Sequence, residues 1–198
     1  MCRLLESLKI TASGIKNLDF HNQRFNHARS ALFGLKKKAD LSHFIQLPPL
    51  KNSEIIKCRV IYQEEIIKIE YISYKRKDIN TLKVVYDDDV NYEYKFEDRT
   101  HLTDLCHRKG ECDDILIIKR GMVTDFSYGN IIFYDGKQWV TPATPLLAGT
   151  MRASLIRSNR IIEKNITIRD LDQYKSFKLI NALFGFDAPE QPVGNIIR

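Results

Sequence analysis

Residues 123–152 read VTDFSYGNIIFYDGKQWVTPATPLLAGTMR. Ile, Val, Phe, Tyr and Trp crowd its first part, and such residues suit a pleated, half-buried surface. IIFY and QWVTP flank Asp135–Gly136, a pair that suits a type I′ turn, so the segment IIFYDGKQWVTP predicts a β-hairpin. Gly149 then precedes a helix expected over Thr150 to Ser158. Working outward, DDILIIKRGMVTD reads as strand, turn, strand with Gly121 in the turn. Downstream, IIEKNITI reads as a strand, Leu171 to Lys175 as a short helix, and FKLINALFGF as the last strong strand.

Upstream, Arg3 to Ile10 predicts a short strand, followed by a turn at Ser13–Gly14. Asp19 is placed to cap a helix from Phe20 to Leu35, with Phe20, Ala28, Ala31, Leu32 and Leu35 near one face. IIKCRVIY and IIKIEYISY, separated by a polar QEE, predict a second hairpin over Glu54 to Tyr74, and LKVVY at Leu82–Tyr86 a further strand. Asp87–Asp89 reads as a solvated link. Asp98 to Arg108 predicts a helix with Leu102 and Leu105 inward. Strands and helices mix without a regular βαβ period, so the expected class is α+β, a mixed α/β chain in two lobes. The lobes are drawn as a small N-terminal α/β lobe at 1–90 and a larger C-terminal lobe at 91–198, with a ligand cleft between them.

The chain has 198 residues, 43% of them hydrophobic and 28% charged, which is ordinary for a globular protein with one sizeable core or two smaller ones. No apolar run is long enough to span a bilayer. MCRLLESLKI lacks the apolar core and cleavage site of a signal peptide, so a cytoplasmic protein is expected. The net charge of +6 is scattered, with short clusters at Lys36–Lys38 and Lys75–Lys77. That charge allows nucleic acid, an anionic small molecule, or plain solvation. No nucleic-acid-binding pattern accompanies it. Cys2, Cys58, Cys106 and Cys112 form no CxxC pair. Cys106, His107 and Cys112 lie near His101 at spacings that fit no common zinc module, so reduced thiols are expected and no metal.

Five segments, in order, carry a resemblance: LLESLKI, FHNQRFNHAR, YKFEDR, VTDFSYGNIIFYDGKQWVTPATPLLAGTMR and LINALFGFDAPEQPVGNI. Together they resemble the class IV aminotransferases, enzymes of the two-lobed D-amino-acid aminotransferase fold that use pyridoxal 5'-phosphate (PLP). The resemblance implies that Arg24, in an H-x-x-R setting with His21, holds the cofactor phosphate, a role that suits a forked guanidinium. It implies that Lys95 is the catalytic, Schiff-base lysine; nothing local distinguishes Lys95 from its neighbours. If YEYKFED is a strand, Tyr94 and Phe96 face opposite to Lys95. VTDFSYGNI supplies Asp125, Ser127, Asn130 and Ile131 where the family has Glu, Ser and Asn-Ile, and the resemblance implies that Asp125 and Asn130 lie among the cofactor-binding residues. A carboxylate there keeps the ring nitrogen protonated so that the ring accepts electrons. Asp125 is one methylene shorter than the usual Glu. The resemblance also implies that backbone N–H groups of Thr150 and Met151 meet the phosphate at a helix N-terminus. Met151 stands where a hydroxyl is usual, and Thr150 offers one a residue earlier.

Two details resemble the 4-amino-4-deoxychorismate lyase branch. Lys95-x-x-x-Arg99 matches its lysine–arginine spacing, and Asn181-Ala182-Leu183 matches its NAL stretch, with Asn181 expected to help hold the phosphate. The resemblance implies a leader strand that contributes to the substrate pocket, and that strand is expected to be missing before the LLES strand. This branch implies a small anionic amine as substrate, elimination of pyruvate to leave 4-aminobenzoate for folate, and Arg99 at a substrate carboxylate. It also implies a homodimer. The rival within the family is a branched-chain or D-amino-acid transaminase. A third reading is a basic binding protein that kept the fold and lost the chemistry.

Overall fold

The computed structural model describes residues 2–51 and 54–198. The chain divides into two compact units, one of Met1–Arg76 with Tyr94–Asp98, the other of Lys77–Glu93 with Arg99–Arg198. Helices and strands are mixed in both, the architecture expected of the α+β class.

The first unit contains strands β1 (Leu4–Thr11), β2 (Gly14–Ile15), β3 (Ile56–Tyr62) and β4 (Ile66–Ser73), and helix α1 (Leu18–Phe33). The strands form one antiparallel sheet in the order β2-β1-β3-β4. Alternation along β1 puts Leu4, Glu6, Leu8 and Ile10 on one face, all four fully buried. Cys58, Val60 and Tyr62 of β3 join them, with Phe25 and Ala28 of α1 against this face. Each such aliphatic side chain withdrawn from water contributes about 1.5–3 kcal/mol.

Helix α1 differs from its expectation at both the start and the buried face. Asn17, not Asp19, is the N-cap, and it makes no side-chain cap bond. Asp19 sits in the first turn, where its charge complements the helix dipole. The buried residues are His21, Phe25, Ala28 and Arg29, while Ala31 and Leu32 are exposed. Polar His21 and Arg29 go inward because each finds a partner there. Arg29 donates from Nε to the Glu64 carbonyl (3.1 Å) and from Nη1 to that of Lys37 (3.3 Å).

The second unit holds β5 (Leu82–Tyr86), β6 (Asp114–Lys119), β7 (Met122–Phe126), β8 (Gly129–Tyr134), β9 (Trp139–Pro142), β10 (Ile162–Lys164), β11 (Ser176–Ile180), β12 (Gln191–Pro192) and β13 (Ile196–Ile197). It also holds helices α2 (Thr100–His107) and α3 (Thr150–Arg157). The sheet runs β10-β9-β8-β7-β6-β5-β13, with β11 branching onto β8 and β12. Leu116, Ile118, Phe126, Ile131, Phe133, Val140 and Phe177 fill its main core.

Several boundaries are shorter than the apolar runs suggest. IIEKNITI is strand only at β10; Thr167 and Asp170 then form a capping box that starts a 3-10 turn, Ile168–Gln173, in place of the expected helix. FKLINALFGF stops at Ile180 because Asn181 Oδ1 accepts the N–H groups of Leu183 (2.8 Å) and Phe184 (3.3 Å). The Asp135–Gly136 turn is not type I′, since only Gly136 has a positive φ (99°). Asp135 Oδ1 closes it instead, accepting from Lys137 N (2.8 Å) and Gln138 N (2.9 Å). Among the described residues no helix is long and apolar enough to cross a membrane, and no group of three His, Cys, Asp or Glu could hold a metal ion.

Candidate active site

In the first unit β1 and α1 bring Glu6, His21 and Arg24 together. Glu6 Oε2 lies 2.6 Å from His21 Nδ1, and both Glu6 oxygens accept from Arg24, Oε1 from Nε (2.8 Å) and Oε2 from Nη2 (2.7 Å). This forked pairing locks the guanidinium plane. Burial would raise the Glu6 carboxyl, but Arg24 and His21 outweigh it and hold it at about 2. His21 is pushed down, first by burial, with the Arg24 and Lys95 cations adding to it against the pull of Glu6. His21 is therefore a neutral imidazole at physiological pH, and Lys95 lies within electrostatic reach of it.

Lys95 is half-buried in an irregular stretch, not a strand. Its backbone is pinned to β1: Leu5 N donates to the Lys95 carbonyl (2.9 Å), Glu97 N donates to that of Arg3 (2.9 Å), and Phe96 bridges Leu4. Tyr94 and Phe96 both pack on the first unit's core with rings 6.2 Å apart, and Tyr94 stacks on His27 at 6.0 Å. The aromatic neighbours thus anchor the backbone on either side of the lysine. The basic run Lys36–Lys38 borders a different feature, a groove of about 390 Å³ along α1 that includes His27 and Ser30.

In the second unit the β7–β8 hairpin sets Asp125 directly across from Asn130. Asp125 is buried; Oδ1 accepts from Asn130 Nδ2 (2.8 Å) and Oδ2 from Leu147 N (3.0 Å). Burial pushes its carboxyl up to about 7, against these donors and the Arg152 cation. Asn130 Nδ2 also donates to the Leu147 carbonyl (2.9 Å). Gly149 precedes α3, and a Cβ there would lie 1.9 Å from Asn130 Oδ1, so only glycine fits. Thr150, buried, opens α3. The Met151 side chain turns away to pack on Gly185, where a Cβ would meet its methyl at 2.9 Å.

Arg99 and Asn181 meet the same turn by its Ser127 and Tyr128. Arg99 donates from Nη2 to the Ser127 carbonyl, and its Cζ sits 4.2 Å over the exposed Tyr128 ring. Asn181 Nδ2 donates to the Tyr128 carbonyl at 3.5 Å.

A profile for the class IV amino-transferases matches residues 98–187. A crystal structure from Haemophilus somnus 129PT, described as a candidate 4-amino-4-deoxychorismate lyase, is 36% identical, with a TM-score of 0.85 over 94% of this chain and 98% of that one. The chain belongs to the class IV aminotransferase family. A Haemophilus influenzae protein of uncharacterized function is 39% identical over 187 residues, 93% of this chain and 100% of its own length. A Mycobacterium tuberculosis aminotransferase, described as hypothetical and solved in a PLP-bound form, shares the fold at 13% identity, with a TM-score of 0.72 over 96% of this chain and 80% of that one.

As a class IV aminotransferase the chain is an enzyme. The profile starts at residue 98, so the pairing of β1 with α1 lies outside it. Within LLESLKI the resemblance assigns no role to Glu6. The signal was there: the period-2 face of β1 reads Leu4, Glu6, Leu8, Ile10, an acid amid core residues. Such an acid requires a buried cation or donor. Leu147, which binds Asp125 through its backbone, has no side-chain signal at all.

Proposed function

We propose that this enzyme is a PLP-dependent 4-amino-4-deoxychorismate lyase that releases pyruvate and leaves 4-aminobenzoate. The likeness to the Haemophilus somnus protein across nearly the whole of both chains carries this reading. Lys95-x-x-x-Arg99 and Asn181-Ala182-Leu183 support it. The donor set fits PLP. Asp125 is a buried carboxyl poised at about 7 and surrounded by donors, a group suited to share a proton with a pyridine nitrogen. Arg24, held flat by Glu6, would take the phosphate, with Thr150 and Met151 at the start of α3 and Asn181 as further holders.

Bound PLP supplies an electron sink beside the carbon that carries the substrate nitrogen. Lys95 Nζ would hold the cofactor and is the amine that would accept the proton from that carbon. Asp125 would keep the ring nitrogen's proton in place. Neutral His21 holds Glu6 and adds no further cation beside Lys95. Arg99 would orient the β7–β8 turn while presenting its cation to a substrate carboxylate.

Purified enzyme with PLP is expected to form pyruvate and 4-aminobenzoate in equal amounts from aminodeoxychorismate. Lys95→Ala should lose both this activity and the visible absorption of bound PLP. Amino transfer to 2-oxoglutarate without pyruvate release would overturn the lyase reading in favour of a transaminase. A colourless protein unable to take up PLP would favour a non-catalytic role.

A further inference from the structure

Asn130 uses its side-chain nitrogen twice, on Asp125 Oδ1 at 2.8 Å and on the Leu147 carbonyl at 2.9 Å. Leu147 N returns to Asp125 Oδ2 at 3.0 Å. These contacts close a ring running from the Asp125 carboxylate through the Asn130 amide to the backbone C=O and N–H of Leu147. The remaining Asn130 atom, Oδ1, lies against Gly149 so closely that a Cβ there would be 1.9 Å away. The 147–149 loop leads directly into α3.

We infer that Asn130 is a positioning residue that clasps the loop leading into α3 to Asp125, so that the charge on Asp125 sets how firmly the loop is held. Every partner named on Asp125 is a donor. A second backbone donor, Leu146 N, acts from the same loop, and Arg152 of α3 is the charged group that favours the ionised form. Ionised Asp125 satisfies these donors. A protonated carboxyl turns one oxygen into a donor facing donors, and the clasp loosens. Burial opposes ionisation, which leaves the two states close in free energy. The inference rests on the proposed PLP reading in one respect, that a cationic ring nitrogen at Asp125 would tighten the loop. The clasp itself belongs to the protein without cofactor.

The test therefore uses the cofactor-free protein. In an NMR titration the Leu147 amide and the Asn130 side-chain amide should shift with the same midpoint as the Asp125 carboxyl carbon. Amide hydrogen exchange at 147–149 should quicken about tenfold as Asp125 protonates, the size expected for losing one hydrogen bond. Asn130→Ala should raise the Asp125 midpoint and quicken exchange at 147–149 at every pH. Gly149→Ala should disrupt the loop in the wild type but add little to Asn130→Ala, because the oxygen it strikes is then gone. Should Asn130→Ala fail to fold, the wild-type titration still decides. A Leu147 amide that does not follow Asp125, or additive effects of the Asn130 and Gly149 substitutions, would overturn the clasp. Visible absorption after adding PLP tests the cofactor reading separately. A working clasp in a protein that takes up no PLP would sink that reading and leave the clasp standing.

Discussion

Replacing Glu6 with Gln keeps the shape of the side chain and removes its charge. The carboxyl is fully buried and held at about 2, against an ordinary value of 4.5. That depression is equivalent to roughly 3 kcal/mol of stability at neutral pH. Because the folded value lies below the unfolded one, the contribution is complete above about pH 4.5 and is lost as pH falls through about 2. In Glu6→Gln the amide nitrogen must take the place of one of the two oxygens that accept from Arg24, so a donor meets a donor. Breaking a buried pair typically costs about 3–5 kcal/mol. The Arg24 side chain is 15% exposed and can relax toward water, which places the loss near the lower end. For a chain of this size a loss of about 3 kcal/mol lowers Tm by about 6–12 °C. Urea denaturation of the cofactor-free protein at pH 7 and pH 3 measures it, followed by far-UV circular dichroism. The gap between variant and wild type should shrink by more than half at about pH 3, where Glu6 of the unfolded chain is protonated while that of the folded protein is still mostly ionised. A gap under about 1 kcal/mol at pH 7 would refute the reasoning, and so would a gap that does not narrow in acid.

Asp125 has the opposite sign: its folded value lies above the unfolded one, so it costs stability as pH rises from 3.8 to about 7. Asp125→Asn should therefore gain on the wild type by about 3 kcal/mol between pH 5 and 8 in urea denaturation of the cofactor-free protein; parallel curves would contradict this. Burial pushes the Cys58 thiol up to about 12, whereas Cys2 is exposed. A thiol reagent at pH 8 should label Cys2 within minutes and Cys58 only after unfolding, as read by peptide mass spectrometry. Asn181→Ala removes the acceptor of the Leu183 and Phe184 N–H groups and should cost about 1–3 kcal/mol. Thermal melts check that loss, and an unchanged Tm would show that the turn closes without Asn181.

Much of the fold was legible because its strands bury alternate or continuous runs of Ile, Val and Leu. DILIIK, MVTDF and GNIIFY are strands where the pattern places them. Polar residues with a buried partner are the exception to that pattern. His21 and Arg29 lie on the buried face of α1, and their partners are distant in sequence: Glu6 is 15 residues from His21 and Glu64 is 35 from Arg29. Helix periodicity scores each side chain alone, so Ala31 and Leu32 outranked residues whose burial depends on a partner. Strands end earlier than their apolar runs suggest for a related reason. Apolar character continues through NALFGF, but one side-chain oxygen, Asn181 Oδ1, gives the backbone a turn to form instead.

The candidate site divides along the same line. Asp125 and Asn130 face each other because only Ser127 and Tyr128 separate the Phe126–Gly129 pair, a spacing open to reading from sequence. Their shared hold on Leu147 runs through its backbone N–H and C=O and leaves no mark in the residue names. The one-methylene difference between Asp125 and the family's Glu also takes on physical content here. The shorter carboxylate has both oxygens engaged by Asn130 and Leu147. Asp125, Asn130 and Gly149 therefore act together: the carboxylate meets the Asn130 amide and the Leu147 backbone at once, and the loop can approach this closely because residue 149 has no side chain.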